Sequence, residues 1–141
     1  MSNICAGIGR GQMEVLEEHI RLRREMNIFY KSIFERIDGI TLFEEPDKDY
    51  FSNHWLSSII INKKKTGFSA EELRFFLEKN RIESRPLWKP LHLQPVFSSY
   101  PYYGSQVAED LFYTGLCLPS GSNLSTIHRN RIKSVLTAFV E

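Results

Sequence analysis

The sequence has little cysteine and no long apolar run. Cys5 and Cys117 are its two cysteines, and they lack the spacing of metal ligands or of a disulfide framework. They predict two reduced, buried thiols in a cytoplasmic protein. The longest apolar stretch, residues 55–61, contains two serines and falls far short of the roughly 18 apolar residues of a membrane span. The first residues lack the basic head and apolar core of a signal peptide, so neither a leader nor a membrane partner is expected.

The sequence also has no excess of one charge sign, because its 18 Lys and Arg residues nearly balance its 17 Asp and Glu residues and give a net charge of +1. This balance gives no reason to expect a nucleic-acid partner. The lysines at 63–65 lie between a predicted strand and a predicted helix, which is typical of a solvated turn. His19 and His128 have no second ligand at i+4, so no metal site is predicted.

The 141 residues suit one domain, because no repeat or Pro/Gly/Ser linker divides them. An apolar pattern of helical period predicts one long helix with Asn3 as its N-cap and Asp38-Gly39 at its end. Such a helix would be about 50 Å long, whereas a domain of this size is only about 30 Å across. The helix must therefore kink or project beyond its own core.

The remaining pattern predicts a sheet with shorter helices. Strands are expected at residues 40–43, 55–62, 82–88 and 116–118. Ser69 and Glu72 form a capping box before one helix, residues 105–114 form another, and Ser125 caps the last. The last helix should turn five apolar residues inward: Ile127, Ile132, Val135, Leu136 and Phe139. We predict an α/β fold, a sheet of three to five strands with helices packed on one face.

A proline-rich loop between residues 83 and 97 carries most of the candidate chemistry. Prolines and apolar residues separate four polar side chains there, namely Arg85, Lys89, His92 and Gln94. A backbone fixed by prolines can hold polar groups in set directions, as binding loops do. The alternative is a stiff surface connection in which Arg85 and Lys89 pair with nearby carboxylates. Composition leaves both open; in either case we expect Trp88 to anchor the loop.

Three glycines, Gly7, Gly9 and Gly11, invite comparison with a phosphate-binding loop. No strand precedes them, which a dinucleotide-binding fingerprint requires. Inside a helix each glycine costs roughly 1 kcal/mol relative to alanine. We therefore expect small residues that let another helix or subunit approach closely.

Four blocks of the chain, at residues 2–12 (SNICAGIGRGQ), 85–92 (RPLWKPLH), 108–111 (AEDL) and 115–121 (GLCLPSG), carry a family resemblance. In order and spacing the chain resembles the DegT/DnrJ/EryC1/StrS nucleotide-sugar aminotransferases. It is most similar to those that aminate UDP-linked 4-keto-6-deoxy sugars, as in bacillosamine-type pathways.

The resemblance implies the C-terminal small domain of a fold-type-I enzyme that uses pyridoxal 5′-phosphate (PLP). Residues 1–38 would be the long connecting helix and residues 39–141 an α/β sandwich. The large domain, with the lysine that forms the Schiff base, would lie outside this chain. The chain would then hold no catalytic, cofactor-binding or metal-binding residue and would be inactive alone.

The same resemblance implies transfer of an amino group from glutamate to a nucleotide-linked keto-sugar in surface-glycan (polysaccharide) biosynthesis, by a homodimer. Lys89, His92 and Gln94, together with Arg85, would line the small-domain side of the substrate cleft. The alternative is a non-catalytic remnant or binding module that dimerises through its first helix. An apolar stripe there should stay exposed and promote association; it comprises Val15, Leu22, Met26, Phe29 and Ile33.

Overall fold

The computed structural model describes residues 2–140. Four strands form one antiparallel sheet in the order β1-β2-β4-β3, with β1 at Ile40–Leu42, β2 at Ser57–Ile61, β3 at Arg85–Pro86 and β4 at Gly115–Leu118. The helices of the described part are α1 (Asn3–Glu14), α2 (Leu16–Phe34), α3 (Lys63–Thr66), α4 (Ala70–Lys79), α5 (Val107–Thr114) and α6 (Thr126–Val140). The predicted α/β class and number of strands are confirmed.

The core lies between one face of this sheet and three helices. Ile59 pairs with Leu116 and Ile61 pairs with Ile40, which puts all four side chains on the same face. Helices α2, α4 and α6 cover that face with buried side chains, namely Met26, Tyr30, Phe34, Leu73, Leu77, Ile132 and Leu136. The prediction of helices on one face is therefore confirmed.

The first predicted helix is two helices, because the helical path breaks at Val15. The backbone there has φ −113° and ψ 5°, and its N–H points back to the carbonyls of Gln12 and Met13. Valine is β-branched and a weak helix former, which makes it a favourable place for the break. The N-cap is Ser2, not Asn3, since the Ser2 Oγ accepts a hydrogen bond from the Cys5 N–H at 3.3 Å.

The break changes which apolar residues are exposed. Met26 is buried, and Phe29 and Ile33 pack against the core. The prediction that the apolar stripe stays exposed is therefore wrong for these three residues. No residue of α1 is buried. The exposed apolar side chains of that helix are Ile4 and Ile8, with Met13 at its end.

Gly39 adopts the left-handed conformation predicted for it, with φ +91°, although α2 already ends at Phe34. A Cβ atom at position 39 would lie 2.6 Å from the Cβ of Lys65, so no larger residue fits. This close approach places the turn before β1 against α3. The Ser69–Glu72 capping box is present as predicted.

Several local predictions need correction. The lysines at 63–65 belong to the one-turn helix α3, because Asn62 caps it by accepting from the Lys64 N–H at 3.1 Å. The strand predicted over residues 82–88 shrinks to two residues, since Pro86 has no N–H to extend the pairing. Ile127 faces solvent, and Cys5 is exposed while Cys117 is buried.

Within residues 2–140, none of the helices combines the length and the apolar character needed to cross a membrane.

Candidate functional site

The proline-rich loop is fixed to the sheet where it leaves β3. Arg85 pairs with Cys117 and Pro86 with Leu116 on β4. Leu87, the next residue, packs directly onto the backbone at Gly115. Two short 3₁₀ turns, Leu91–Leu93 and Pro95–Phe97, then follow. The loop therefore starts from a rigid element, as a binding loop must.

His92 is held from two sides. Its Nε2 atom lies 2.9 Å from Oε1 of Glu109 on α5, and the ring stacks on Tyr102 at 3.8 Å between centroids and 24° between planes. The Tyr102 hydroxyl in turn donates to the Ser105 carbonyl at 2.6 Å. The side chains of His92 and Glu109 are 18% and 26% exposed. The imidazole consequently has one orientation and little rotational freedom.

Lys89 and Gln94 stand on either side of the first 3₁₀ turn. The Gln94 Nε2 donates to the Lys89 carbonyl at 3.2 Å, which ties the two residues together. Lys89 is exposed, and its ammonium group forms no ion pair with any residue between 2 and 140. A free cation on a fixed loop suits an anionic ligand.

Arg85 does not join this group. Its guanidinium pairs with Glu83, with Nε 2.8 Å and Nη2 2.5 Å from Oε1, and both side chains are more than 70% exposed. An exposed pair of this kind contributes about 0–1 kcal/mol. Of the four predicted site residues, Lys89, His92 and Gln94 lie in or beside the first 3₁₀ turn, and only Gln94 and Lys89 are joined by a hydrogen bond within residues 2–140. Arg85 has the surface pairing that was the alternative.

Trp88 is not the anchor that the sequence suggested, because it is 68% exposed. It lies beside Trp55, which is 59% exposed, with ring centroids 6.1 Å apart and an angle of 37°. Both rings border a groove of about 780 Å³ whose floor includes Ile82, Leu118 and Pro119. Leu87 holds the loop instead, and the tryptophans offer two accessible aromatic surfaces.

The segment before β2 is fixed by two arginines of α2. Arg23 donates to the Trp55 carbonyl at 2.6 Å, and Arg24 donates to Glu45 at 2.8 Å. The hydrogen bond from Arg24 lowers the pKa of Glu45, while burial lowers the pKa of His54 nearby. Trp55 is thus positioned by its backbone while its ring stays exposed.

Sequence reasoning missed three residues of this site: Trp55, Tyr102 and Glu109. Glu109 lies in the AEDL block, but the sequence identified it only as part of a short helix. Tyr102 and Glu109 are 10 and 17 positions beyond His92 across an irregular loop. No periodic pattern links residues through such a segment, so the contacts were not predictable from spacing.

The lysines of the described residues do not form a site for PLP. A lysine that forms a Schiff base is activated by a desolvated or cationic pocket. All eight lysines of this chain are exposed to solvent, and Lys31, Lys63 and Lys65 pair with Glu44, Glu72 and Asp38. The residues present therefore do not fit the cofactor by themselves.

Comparison with known proteins gives one consistent result. The model of the DegT/DnrJ/EryC1/StrS aminotransferase family matches residues 1–137. EpsN of Bacillus subtilis strain 168, assigned as a pyridoxal phosphate-dependent aminotransferase, is 39% identical over 140 residues, 96% of this chain and 35% of that protein. GDP-perosamine synthase of Escherichia coli O157:H7 is 37% identical over 125 residues, 89% of this chain and 32% of that protein.

A solved structure shares the fold. DesV of S. venezuelae, determined in complex with a ketimine intermediate, superposes with a TM-score of 0.82 at 23% identity. The match covers 96% of this chain and 36% of that one. The chain thus spans about a third of the length of the relatives it matches.

Proposed function

Because the chain belongs to the DegT/DnrJ/EryC1/StrS aminotransferase family, we propose that it is the small domain of an enzyme that aminates a nucleotide-linked keto-sugar. The relatives named above include a GDP-perosamine synthase and a PLP-dependent aminotransferase. Glutamate as amino donor, a homodimeric enzyme and a role in surface-glycan synthesis are part of the proposal.

One observation carries the proposal: an unpaired cation, a fixed imidazole and two exposed indole rings lie on one short loop and its neighbour. Lys89 follows Trp88 directly, and Trp88 lies beside Trp55. A sugar nucleotide offers a diphosphate for a cation, hydroxyls for neutral polar groups and a flat base or sugar face for aromatic rings. The three kinds of surface on the loop correspond to these three parts.

The proposal gives each side chain a binding role and none a step in the chemistry. Lys89 neutralises the diphosphate, while His92 and Gln94 bind hydroxyl groups of the sugar. The family's enzymes depend on PLP, and since the lysines here are exposed, we infer that another part of the enzyme binds the cofactor. This chain then closes one side of the substrate cleft.

A chimera tests the proposal. The aligned part of this chain, 96% of its length, replaces the matching third of the Bacillus subtilis relative, so that the rest of that protein supplies its own cofactor site. With ¹⁵N-labelled glutamate and UDP-4-keto-6-deoxy sugar, we expect ¹⁵N in the sugar product by mass spectrometry. Parallel reactions with GDP- and TDP-linked keto-sugars determine the preferred nucleotide.

A matched control makes the result decisive. The parent relative shows that the assay works, and PLP absorbance shows that the chimera holds its cofactor. A folded, PLP-loaded chimera that aminates none of these sugars would contradict the proposal and favour the non-catalytic remnant or binding module.

A further inference from the structure

Glu109 lies where it can decide which nitrogen of His92 carries a proton. Its Oε1 atom is 2.9 Å from Nε2 of His92, and both side chains are largely removed from solvent. A carboxylate has only acceptor atoms, so Nε2 must be the donor in this contact. In a neutral imidazole the other nitrogen, Nδ1, is then an acceptor.

Nδ1 of His92 is free to meet a ligand. It has no hydrogen-bond partner among residues 2–140, and it is not one of the buried side-chain polar atoms of that part of the chain that lack a partner, which are Asn27 Nδ2, Ser57 Oγ and Ser84 Oγ. A half-turn of the ring about the Cβ–Cγ bond would put Cε1 in place of Nε2 beside Glu109 and lose this hydrogen bond, and Tyr102 stacks on the ring face at 3.8 Å between centroids. Tyr102 is itself held by its hydrogen bond to Ser105.

We propose that Glu109 is a positioning residue that fixes His92 as the Nε2–H tautomer, so that Nδ1 accepts a hydrogen bond from a hydroxyl group of the sugar nucleotide. The inference rests on the proposed function for the identity of the ligand, but the tautomer itself does not. Under this proposal the two side chains bind different parts of the ligand. Lys89 binds the anionic diphosphate, whereas His92 binds a neutral hydrogen-bond donor. A phosphate oxygen at Nδ1 would face a lone pair and be repelled.

Nuclear magnetic resonance of the 141-residue chain tests the tautomer without any ligand. Chains labelled with ¹⁵N-histidine give two imidazole nitrogen signals per residue, and the His92→Gln variant identifies those of His92. At a pH high enough that the signals no longer change with pH, the ring is neutral, and we expect a protonated Nε2 and an unprotonated Nδ1. A predominant Nδ1–H form of the neutral ring would overturn the proposal.

Two variants separate a positioning role from a structural one. Glu109→Gln should shift the Nε2 and Nδ1 signals toward a mixture of tautomers, while Tm stays close to that of the parent. Asp110→Asn removes a neighbouring exposed carboxylate of α5 and should leave the His92 signals unchanged. Unchanged signals in Glu109→Gln, or an equal change in Asp110→Asn, would refute the assignment.

The chimera tests whether Glu109 affects binding of the sugar nucleotide. In the chimera, Glu109→Gln should raise KM for the sugar nucleotide about tenfold, which corresponds to a loss of roughly 1.4 kcal/mol of binding free energy. It should have little effect on the glutamate half-reaction. A deoxy analogue that lacks the recognised hydroxyl should bind His92→Ala and the parent equally. If the tautomer result holds and no chimera aminates a sugar, the proposed function fails while the assignment of the tautomer stands. If sugar turnover holds and KM does not respond to Glu109→Gln, the positioning role is wrong.

Discussion

Leu87 lies against Gly115 so closely that no side chain fits between them. A Cβ atom at position 115 would lie 2.5 Å from the Leu111 carbonyl oxygen and closer still to Leu87 Cδ1. This contact joins the proline-rich loop to β4 and to the end of α5. The positions of Lys89 and His92 therefore depend on a glycine that touches neither of them.

Gly115→Ala should destabilise the chain by about 1–3 kcal/mol through overpacking. The backbone at this position has φ −96°, which any residue adopts, so the cost reports crowding alone. Urea unfolding followed by circular dichroism measures it. Gly7→Ala is the matched control, because a Cβ there meets nothing within 4 Å, and it should leave stability equal or higher. Equal effects of the two variants would contradict the contact.

Glu72 should stabilise the fold in a pH-dependent way. Hydrogen bonds from Ser69, with help from Lys63, lower its pKa from 4.5 to about 2. The ionised form of Glu72, compared with its protonated form, is thus more stable in the folded state than in the unfolded state. Its contribution is complete above about pH 4.5 and is lost as pH falls toward about 2. Glu72→Gln should therefore lower unfolding free energy at neutral pH and have a vanishing effect near pH 2. A difference independent of pH would contradict this.

The chain alone should not form a covalent adduct with PLP at one site. Each of its lysines is exposed, so none has the desolvated surroundings that activate an amine for Schiff-base formation. Incubation with PLP, reduction with borohydride and peptide mapping should give weak labelling spread over several lysines. The chimera is the positive control, with one labelled lysine in the part supplied by the relative. A single strongly labelled lysine within residues 2–140 would refute the expectation.

The exposed face of α1 should promote self-association of the chain. Ile4 and Ile8 are 76% and 61% exposed and lie one turn apart on the same side. Sedimentation velocity at increasing concentration should show species larger than the monomer. Substituting lysine at both positions should restore the monomer, whereas Ile127→Lys, which changes an isoleucine 80% exposed on α6, should not. A monomeric parent at every concentration would count against an interface on α1.

Lys89→Ala in the chimera should reduce kcat/KM for the sugar nucleotide about 10- to 150-fold, since a hydrogen bond to a charged group contributes about 1.5–3 kcal/mol. His92→Ala should cost less if it meets a neutral hydroxyl, and Gln94→Ala less again. The glutamate half-reaction should change little in each. Arg85→Ala is the matched control, because that arginine already pairs with Glu83. If sugar turnover in both Lys89→Ala and His92→Ala stays within about twofold of the parent, the loop is a surface connection and not a binding site.

The parts of the fold that the sequence predicted well are those with local causes. The capping box at Ser69 and the left-handed turn at Gly39 each follow from a few neighbouring residues. The nearly continuous apolar run over residues 55–62 likewise predicts the buried strand β2. Such features need no knowledge of the tertiary structure.

The features that the sequence did not predict depend on distant contacts. The burial of Met26 follows from how α2 lies to cover the sheet. Trp88 is exposed because Leu87 takes the place against β4. The partners of His92 come from beyond an irregular loop. In each case packing, not propensity, decides the outcome.

The break at Val15 also divides the chain thermodynamically. Helix α2 shares the core and can open only when the whole domain unfolds, whereas α1 buries nothing and has 12 residues, a length at which an isolated helix is marginal in water. Its helical state therefore has its own equilibrium, separate from that of the core. Any surface that packs on α1 must supply the free energy that keeps it helical, so that association and the ordering of residues 3–14 are one event.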